Sequence, residues 1–254
     1  MAQSQPKGWQ NTLERLYRRH NLSQVYRDLV RMIACALSMQ TREAQYLECI
    51  GRYKKEELEV FPRAMAELIA AMEREPYTDL LGDPFLELES KSTKQGRGEF
   101  YTPQNICDMM AEMTVQGSLE DGKILTLNDP ACGSGRMMLG LVKALEQRGI
   151  SPLCVQATVQ DLNPTAVDMA YINLTLWGVP TKAIWGDTIR LEEREVYFNP
   201  FWNMAQPYQA GEAKLCKAVQ QLERLLGGIS IEAQTQTQAP TQAVKLPPQP
   251  GLFG

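Results

Sequence analysis

The sequence predicts an α/β fold: a doubly wound, mainly parallel sheet preceded by an N-terminal helical region. Three observations carry that prediction. From Lys123 onward, short apolar runs alternate with helical-period segments in units of roughly 30 residues, the length of a strand, its crossover helix and the next parallel strand. An acidic residue closes three successive runs, at Asp129, Asp161 and Asp187. Before residue 90, the apolar residues recur at helical spacing.

In LSQVYRDLVRMIACALSM the helical stripe is Val25, Leu29, Met32, Ile33, Ala36 and Leu37. FPRAMAELIAAMERE repeats it through Phe61, Met65, Leu68, Ile69 and Met72. YTDLLGDPFLELESKSTKQGRG reads as a loop-rich bridge. TPQNICDMMAEM opens a helix with Thr102 as N-cap and Pro103 at the first helical position. Its stripe, Ile106, Met109, Met110 and Met113, is expected to pack into the core. KILTLND, CVQATVQD and TKAIWGD then read as strands, separated by the helices RMMLGLVKALEQRG and NPTAVDMAYINLTLWG. EVYFNPFW is a fourth, weaker strand. GEAKLCKAVQQLERLLGG is an amphipathic helix through Leu215, Val219, Leu222 and Leu226, stopped by Gly227 and Gly228. From Ile231 the chain is rich in Gln, Thr and Pro, and disorder is expected. The expected organisation is a helical region over 1–90, an α/β domain over 91–230 and a tail over 231–254.

Composition narrows the function classes. With 254 residues, 44% hydrophobic and 22% charged, the chain can bury one sizeable core. No window of about 18 apolar residues occurs, so no membrane span is expected. MAQSQPKGWQ lacks the apolar stretch of a secretory leader. Six cysteines stand singly without CxxC spacing, and His20 is the sole histidine. That argues against a zinc site or a disulfide scaffold and predicts reduced thiols in a cytoplasm. The net charge of -4 conceals an asymmetry: residues 1–55 hold ten Lys or Arg against four Asp or Glu. Arg15, Arg18 and Arg19 in RLYRRH read either as a phosphate-contacting patch or as a solvated helix face.

DPACGSG, Asp129 to Gly135, follows the first strand as a small-cofactor loop would. In an open parallel sheet, ligands bind at the carboxyl ends of the strands. The spacings of 32 and 26 residues put Asp129, Asp161 and Asp187 at successive ends, lining one crevice. Gly133 and Gly135 let the backbone approach a ligand closely. A dinucleotide is disfavoured, because Met138 stands where its fingerprint needs a third glycine and an acidic loop repels pyrophosphate. S-adenosylmethionine (SAM) suits three carboxylate acceptors: Asp129 for its methionine end, Asp161 for the ribose hydroxyls and Asp187 for the adenine amino group. The plainer alternative is that each aspartate caps the helix after it.

GRGEFYTP, DPACGSG, VQDLNP with INLTLWG, and GDT, in this order, resemble the N6-adenine DNA methylases of the type I restriction-modification kind, the modification subunit. YTDLLGDPFLELES is similar to the segment that leads into the TP motif of that family. The resemblance implies a SAM-methyltransferase-like sheet in which Phe100, Tyr101, Thr102 and Pro103 border the cofactor pocket. It implies that the loop through Pro130, Ala131, Gly133 and Gly135 holds the methionine end. Asp161, with Leu162 beside it, would bind ribose, and Gly186 and Asp187 would lie by the adenine. DNA is the implied substrate, with the target adenine flipped out of the duplex.

The family positions that adenine with an Asn-Pro-Pro-aromatic motif, which this sequence lacks. The nearest match is Asn199, Pro200, Phe201 and Trp202, read either as a degenerate catalytic loop or as a turn with buried aromatics. Only 52 residues follow Trp202, so the sheet is expected to be incomplete in its C-terminal half. Its edge would then need covering by the helix at 212–226, a second copy or a partner chain. Two functions follow. One is the SAM-binding part of a DNA adenine-N6 methyltransferase, acting alone or with a partner that supplies DNA specificity. The other is a catalytically inactive relative that binds DNA or a DNA-processing partner. No metal is expected in either.

Overall fold

The computed structural model describes residues 8–92, 101–115 and 124–205. Phe100, the helix expected at 212–226 and the tail expected from 231 lie outside the described residues.

Among the described residues seven α-helices come first: α1 (Gly8–Leu13), α2 (Leu22–Leu37), α3 (Glu43–Ile50), α4 (Lys55–Leu58), α5 (Val60–Arg74), α6 (Gly82–Ser92) and α7 (Gln104–Thr114), with a short 3-10 helix, Glu14–Leu16, between α1 and α2. α2 begins where the extended Asn21 accepts a hydrogen bond from the Gln24 amide, satisfying one of the free donors of the first turn. Part of the stretch read as a loop-rich bridge is helical instead. Leu80, Leu81 and Phe85 are buried there, and that burial outweighs the loop signals of Gly82 and Pro84.

The expected strands follow as β1 (Leu125–Asp129), β2 (Val155–Asp161) and β3 (Thr181–Asp187), with α8 (Arg136–Glu146) and α9 (Pro164–Leu176) between them. β4 (Glu192–Phe198) turns back antiparallel to β3, and the short α10 (Pro200–Ala205) ends the described chain. The sheet order is β1-β2-β3-β4, parallel across the first three. Parallel crossovers are right-handed, so strands laid down in chain order place α8 and α9 on one face. Val155, Ala157, Val159 and Ala183 are buried on that face; on the other, Thr126 and Asn128 of β1 are exposed while Gln156 and Ile184 are buried. Of the two helical layers of a doubly wound sheet, the described residues hold this one. Among them no strand pairs with the free edge of β1.

The helices form a row, α7 on α8, α8 on α9 and α9 on α2. α2 and α3 are fixed to α9 and β4 by buried charge. Asp168 of α9 accepts from Arg42 Nη1 at 2.9 Å and from the Tyr197 hydroxyl at 2.8 Å, and Arg31 Nε lies 2.6 Å from its second oxygen. Arg42, only 3% exposed, also donates to Glu195 and stacks on the Tyr197 ring at 3.9 Å. One continuous hydrophobic core runs from Trp9 and Leu29 to Val159 and Ala183.

α7 departs from expectation. Ile106, Met109, Met110 and Met113 are exposed, Met113 by 63%, rather than packed in the core. The packed face is the small-residue one, Cys107 and Ala111, because α8 meets α7 at Gly140. A Cβ there would lie 3.2 Å from the Cys107 carbonyl oxygen, so the close approach admits only small groups. The helix also begins after Pro103 rather than at it, leaving the Thr102 carbonyl free for Arg136.

Candidate cofactor site

The crevice is built from the carboxyl ends of β1, β2 and β3. Asp129 pairs in register with Val159, and Asp161 with Trp185, so each acidic residue lies two positions beyond the one before it. Side chains alternate along a strand, and these offsets are even. All three aspartates therefore share the face that carries Val159 and Ala183.

Asp161 does more than end its strand. Its Oδ2 accepts the Gly133 amide at 2.9 Å, pinning the glycine loop, and its Oδ1 accepts the Asn163 amide at 2.9 Å. The Cys132 amide donates to the Gln160 carbonyl at 2.9 Å, a second tether to β2. Thr188 Oγ1 donates to the Pro130 carbonyl at 2.6 Å, so the end of β3 also holds the loop. Pro130, Ala131 and Leu162 are exposed at the rim, and the Leu162 carbonyl accepts from the Trp185 indole at 3.0 Å.

The loop's glycines are required by geometry. Gly133 has φ +52° and Gly135 φ +82°, conformations open chiefly to glycine. A Cβ on Gly133 would meet the Tyr101 ring at 2.9 Å, and one on Gly135 would meet Ala170 of α9 at 3.0 Å. Tyr101 thus packs on the loop, while Thr102 and Pro103 are exposed beside it. Gly186 has a different reason: any Cβ would overlap the Glu192 carbonyl, where β4 swings in at a register shift.

Among the described residues, Asp129 Oδ1 accepts only the Ala131 amide, at 3.1 Å. Burial pushes its carboxyl above the usual carboxylate range and the neighbouring Asp161 adds to the shift, against the Ala131 N–H. The attraction of a bound cation would oppose that shift and favour the ionised carboxylate. Asp187 Oδ1 accepts the Ile189 and Arg190 amides, in part the capping role named as the plainer alternative. Burial raises the Cys132 thiol, which donates to the Gly133 carbonyl at 3.5 Å and so is held in the protonated form. The donor set therefore fits SAM: carboxylates for its cationic and hydroxyl-bearing parts, on a glycine loop whose shape is set by packing against Tyr101 and Ala170.

Asn199, Pro200 and Trp202 are not brought to this crevice. β4 is antiparallel to β3, so Phe198 pairs with Lys182 and Asn199 arrives at the amino end of β3. Asn199 is 0% exposed. Its side chain accepts from the Thr181 and Trp202 amides and donates to the Val179 carbonyl and Thr175 Oγ1. Asp187 closes the other end of the same strand, roughly 20 Å away at strand spacing. The degenerate-catalytic-loop reading is corrected: this is a helix-capping turn with the Trp202 and Phe198 rings 5.5 Å apart.

Sequence reasoning missed the residues behind the loop: Asp79, Arg136 and Asn173, all buried. Two signals could have found Asp79 and Arg136, and none marks Asn173. Asp79 stands three residues before Gly82, the spacing of a helix cap, and Arg136 puts a cation where a helix N-terminus disfavours one, which demands a buried acid. Among the described residues no group of three or more His, Cys, Asp or Glu side chains could hold a metal, and no helix is long and apolar enough to cross a membrane.

Comparison with known proteins places this geometry. The methylase subunit of the type I restriction enzyme MpnII of Mycoplasma pneumoniae is 27% identical over 129 residues, 47% of this chain and 22% of that protein. The MjaIX counterpart of Methanocaldococcus jannaschii is 31% identical over 94 residues, 37% of this chain and 15% of that protein. The chain thus spans about a fifth or less of the length of these curated relatives. Solved structures overlay loosely. The methyltransferase subunit of a type I restriction-modification system from Streptococcus thermophilus is 21% identical with a TM-score of 0.35, covering 66% of this chain and 40% of that one. A Listeria monocytogenes structure described as a class I SAM-dependent methyltransferase is 13% identical with a TM-score of 0.40, covering 80% and 67%. The sequence model of the N-6 DNA methylases matches residues 77–218, more than half of the chain and all of the crevice. The chain belongs to the N-6 DNA methylase family.

Proposed function

We propose that this chain binds SAM at the carboxyl ends of β1, β2 and β3 and serves adenine-N6 methylation of DNA. The observation that carries the reading is the convergence of three same-face carboxylates on a glycine loop that Asp161 itself holds. Asp129 would face the ammonium, Asp161 the ribose hydroxyls and Asp187 the adenine amino group; Tyr101 to Pro103 would border the pocket. Bound there, SAM supplies the methyl group. The chain's residues orient it and hold the charge that neutralises it.

Positioning of the target adenine must come from elsewhere, since Asn199 faces the other end of the sheet. The free edge of β1 is where a further strand would complete the crevice, because ligands sit where strand order reverses. That strand would come from residues outside those described or from a partner chain. DNA contact would fall to the turn between α1 and α2, where Arg15 and Arg18 are exposed and Arg19 lies 3.6 Å from Glu57. A second reading, a non-catalytic relative that binds DNA or a DNA-processing partner, is favoured by the turned-away Asn199.

Transfer of a radiolabelled methyl from SAM to adenine in duplex DNA separates the two. Under the proposed function, the full chain, alone or with a partner that supplies DNA specificity but has no methyltransferase activity of its own, transfers label and loses that ability in Asp161→Ala. No transfer despite saturable SAM binding would favour the second reading.

A further inference from the structure

The glycine loop has little conformational preference of its own. Two residues of positive φ flank Ser134, and glycine backbone is freer than any other, so contacts must impose the loop's shape. Two contacts come from the end of β2 and one from the end of β3, as described. Those that hold Ser134 and Arg136 from behind meet on one side chain.

The Asp79 carboxylate, fully buried, accepts six hydrogen bonds. Its Oδ1 takes the Leu81 amide at 3.0 Å, the Gly82 amide at 2.9 Å and Asn173 Nδ2 at 3.2 Å. Its Oδ2 takes Ser134 Oγ at 2.6 Å and Arg136 Nε and Nη2 at 3.1 and 2.8 Å. Asn173 also donates to the Ser134 carbonyl at 2.8 Å. Ser134 is 1% exposed, and its hydroxyl points into this cluster, away from the crevice. Arg136 continues to the Thr102 carbonyl at 3.1 Å and to Asp83 at 2.7 Å. The Tyr101 ring lies against both Gly82 and Gly133. One carboxylate thus joins the start of α6, the glycine loop, the start of α8 and the middle of α9. Through Arg136 it also fixes the segment 101–103.

We propose that Asp79 is a positioning residue for the cofactor loop, acting through Ser134 and Arg136 and touching no part of the ligand. The inference rests on the SAM reading for its functional consequence. The structural lock stands apart from it, and the experiment separates them.

The experiment compares the full-length wild type, Ser134→Ala, Ser134→Cys, Asp79→Asn and the double variant Asp79→Asn with Ser134→Ala. Without SAM, hydrogen exchange of residues 129–136 should quicken about tenfold in Ser134→Ala while β2 keeps its wild-type rates, the loss of one hydrogen bond to a charged acceptor. SAM affinity should fall by a similar factor in a chain that is still folded. Ser134→Cys, which keeps a donor in the same space, should recover part of both. The double variant should bind SAM no more weakly than Asp79→Asn, because both changes open one lock. Wild-type exchange across 129–136 in Ser134→Ala, or full additivity in the double variant, would overturn the proposal. A wild-type chain that does not bind SAM would sink the functional reading, and the exchange contrast would still decide the lock.

Discussion

Asn199 shows how a residue type at a plausible sequence position can serve a different end. Its amide satisfies the Thr181 and Trp202 N–H groups and the Val179 carbonyl, all at the foot of β3. Asn199→Ala should therefore cost about 3 kcal/mol in urea unfolding, from buried groups left without partners, and leave SAM affinity unchanged. A loss of methyl transfer at unchanged stability would return Asn199 to the site. Asp129 carries a pH prediction. Its carboxyl is held above the usual range by burial, and the ionised form is the one that attracts a cation. SAM affinity should weaken as pH falls through that raised range, beginning above the region near pH 4 where an ordinary carboxylate protonates. Asp129→Asn should bind weakly at every pH, without that trend. Titrations across the range check the sign; affinity that rises on acidification would contradict it.

The elements were legible where periodicity and burial agree. β1, β2, β3, α8 and α9 alternate in the sequence as they do in space, and the three terminal aspartates were placed by spacing alone. What was not legible depends on neighbours. The face of α7 that packs was set by Gly140 of α8, so its methionines, the more apolar stripe, stay outside. β4 has a strand pattern, yet nothing local says that it pairs backwards on β3, and that reversal is what carries Asn199 away. The Asp79 cluster joins residues up to 94 positions apart, beyond any local pattern. The contact between α2, α3 and α9 is of the same kind. Arg42→Ala should destabilise the chain by about 3 kcal/mol or more, since it leaves Asp168 buried with one cation fewer. Equilibrium unfolding measures this; a change within about 0.5 kcal/mol, the range of an ordinary surface substitution, would mean that the cluster contributes no net stability.

Across the whole molecule, the described residues form one wound half of an α/β sheet, with a helical layer at one side whose Lys and Arg excess is confined to the stretch before residue 56, and an acidic crevice at the strand ends. The fold serves that crevice. The N-terminal helices hold α9, and α9 and α6 hold the loop from behind. The strand order sets three carboxylates on one face. The central claim is that this crevice takes SAM. Calorimetric titration of the full chain with SAM, alongside Asp161→Ala, tests it most directly. Saturable one-site binding that disappears in a folded Asp161→Ala chain is the predicted result. No heat of binding from a folded wild-type chain, or binding that Asp161→Ala leaves intact, would contradict it.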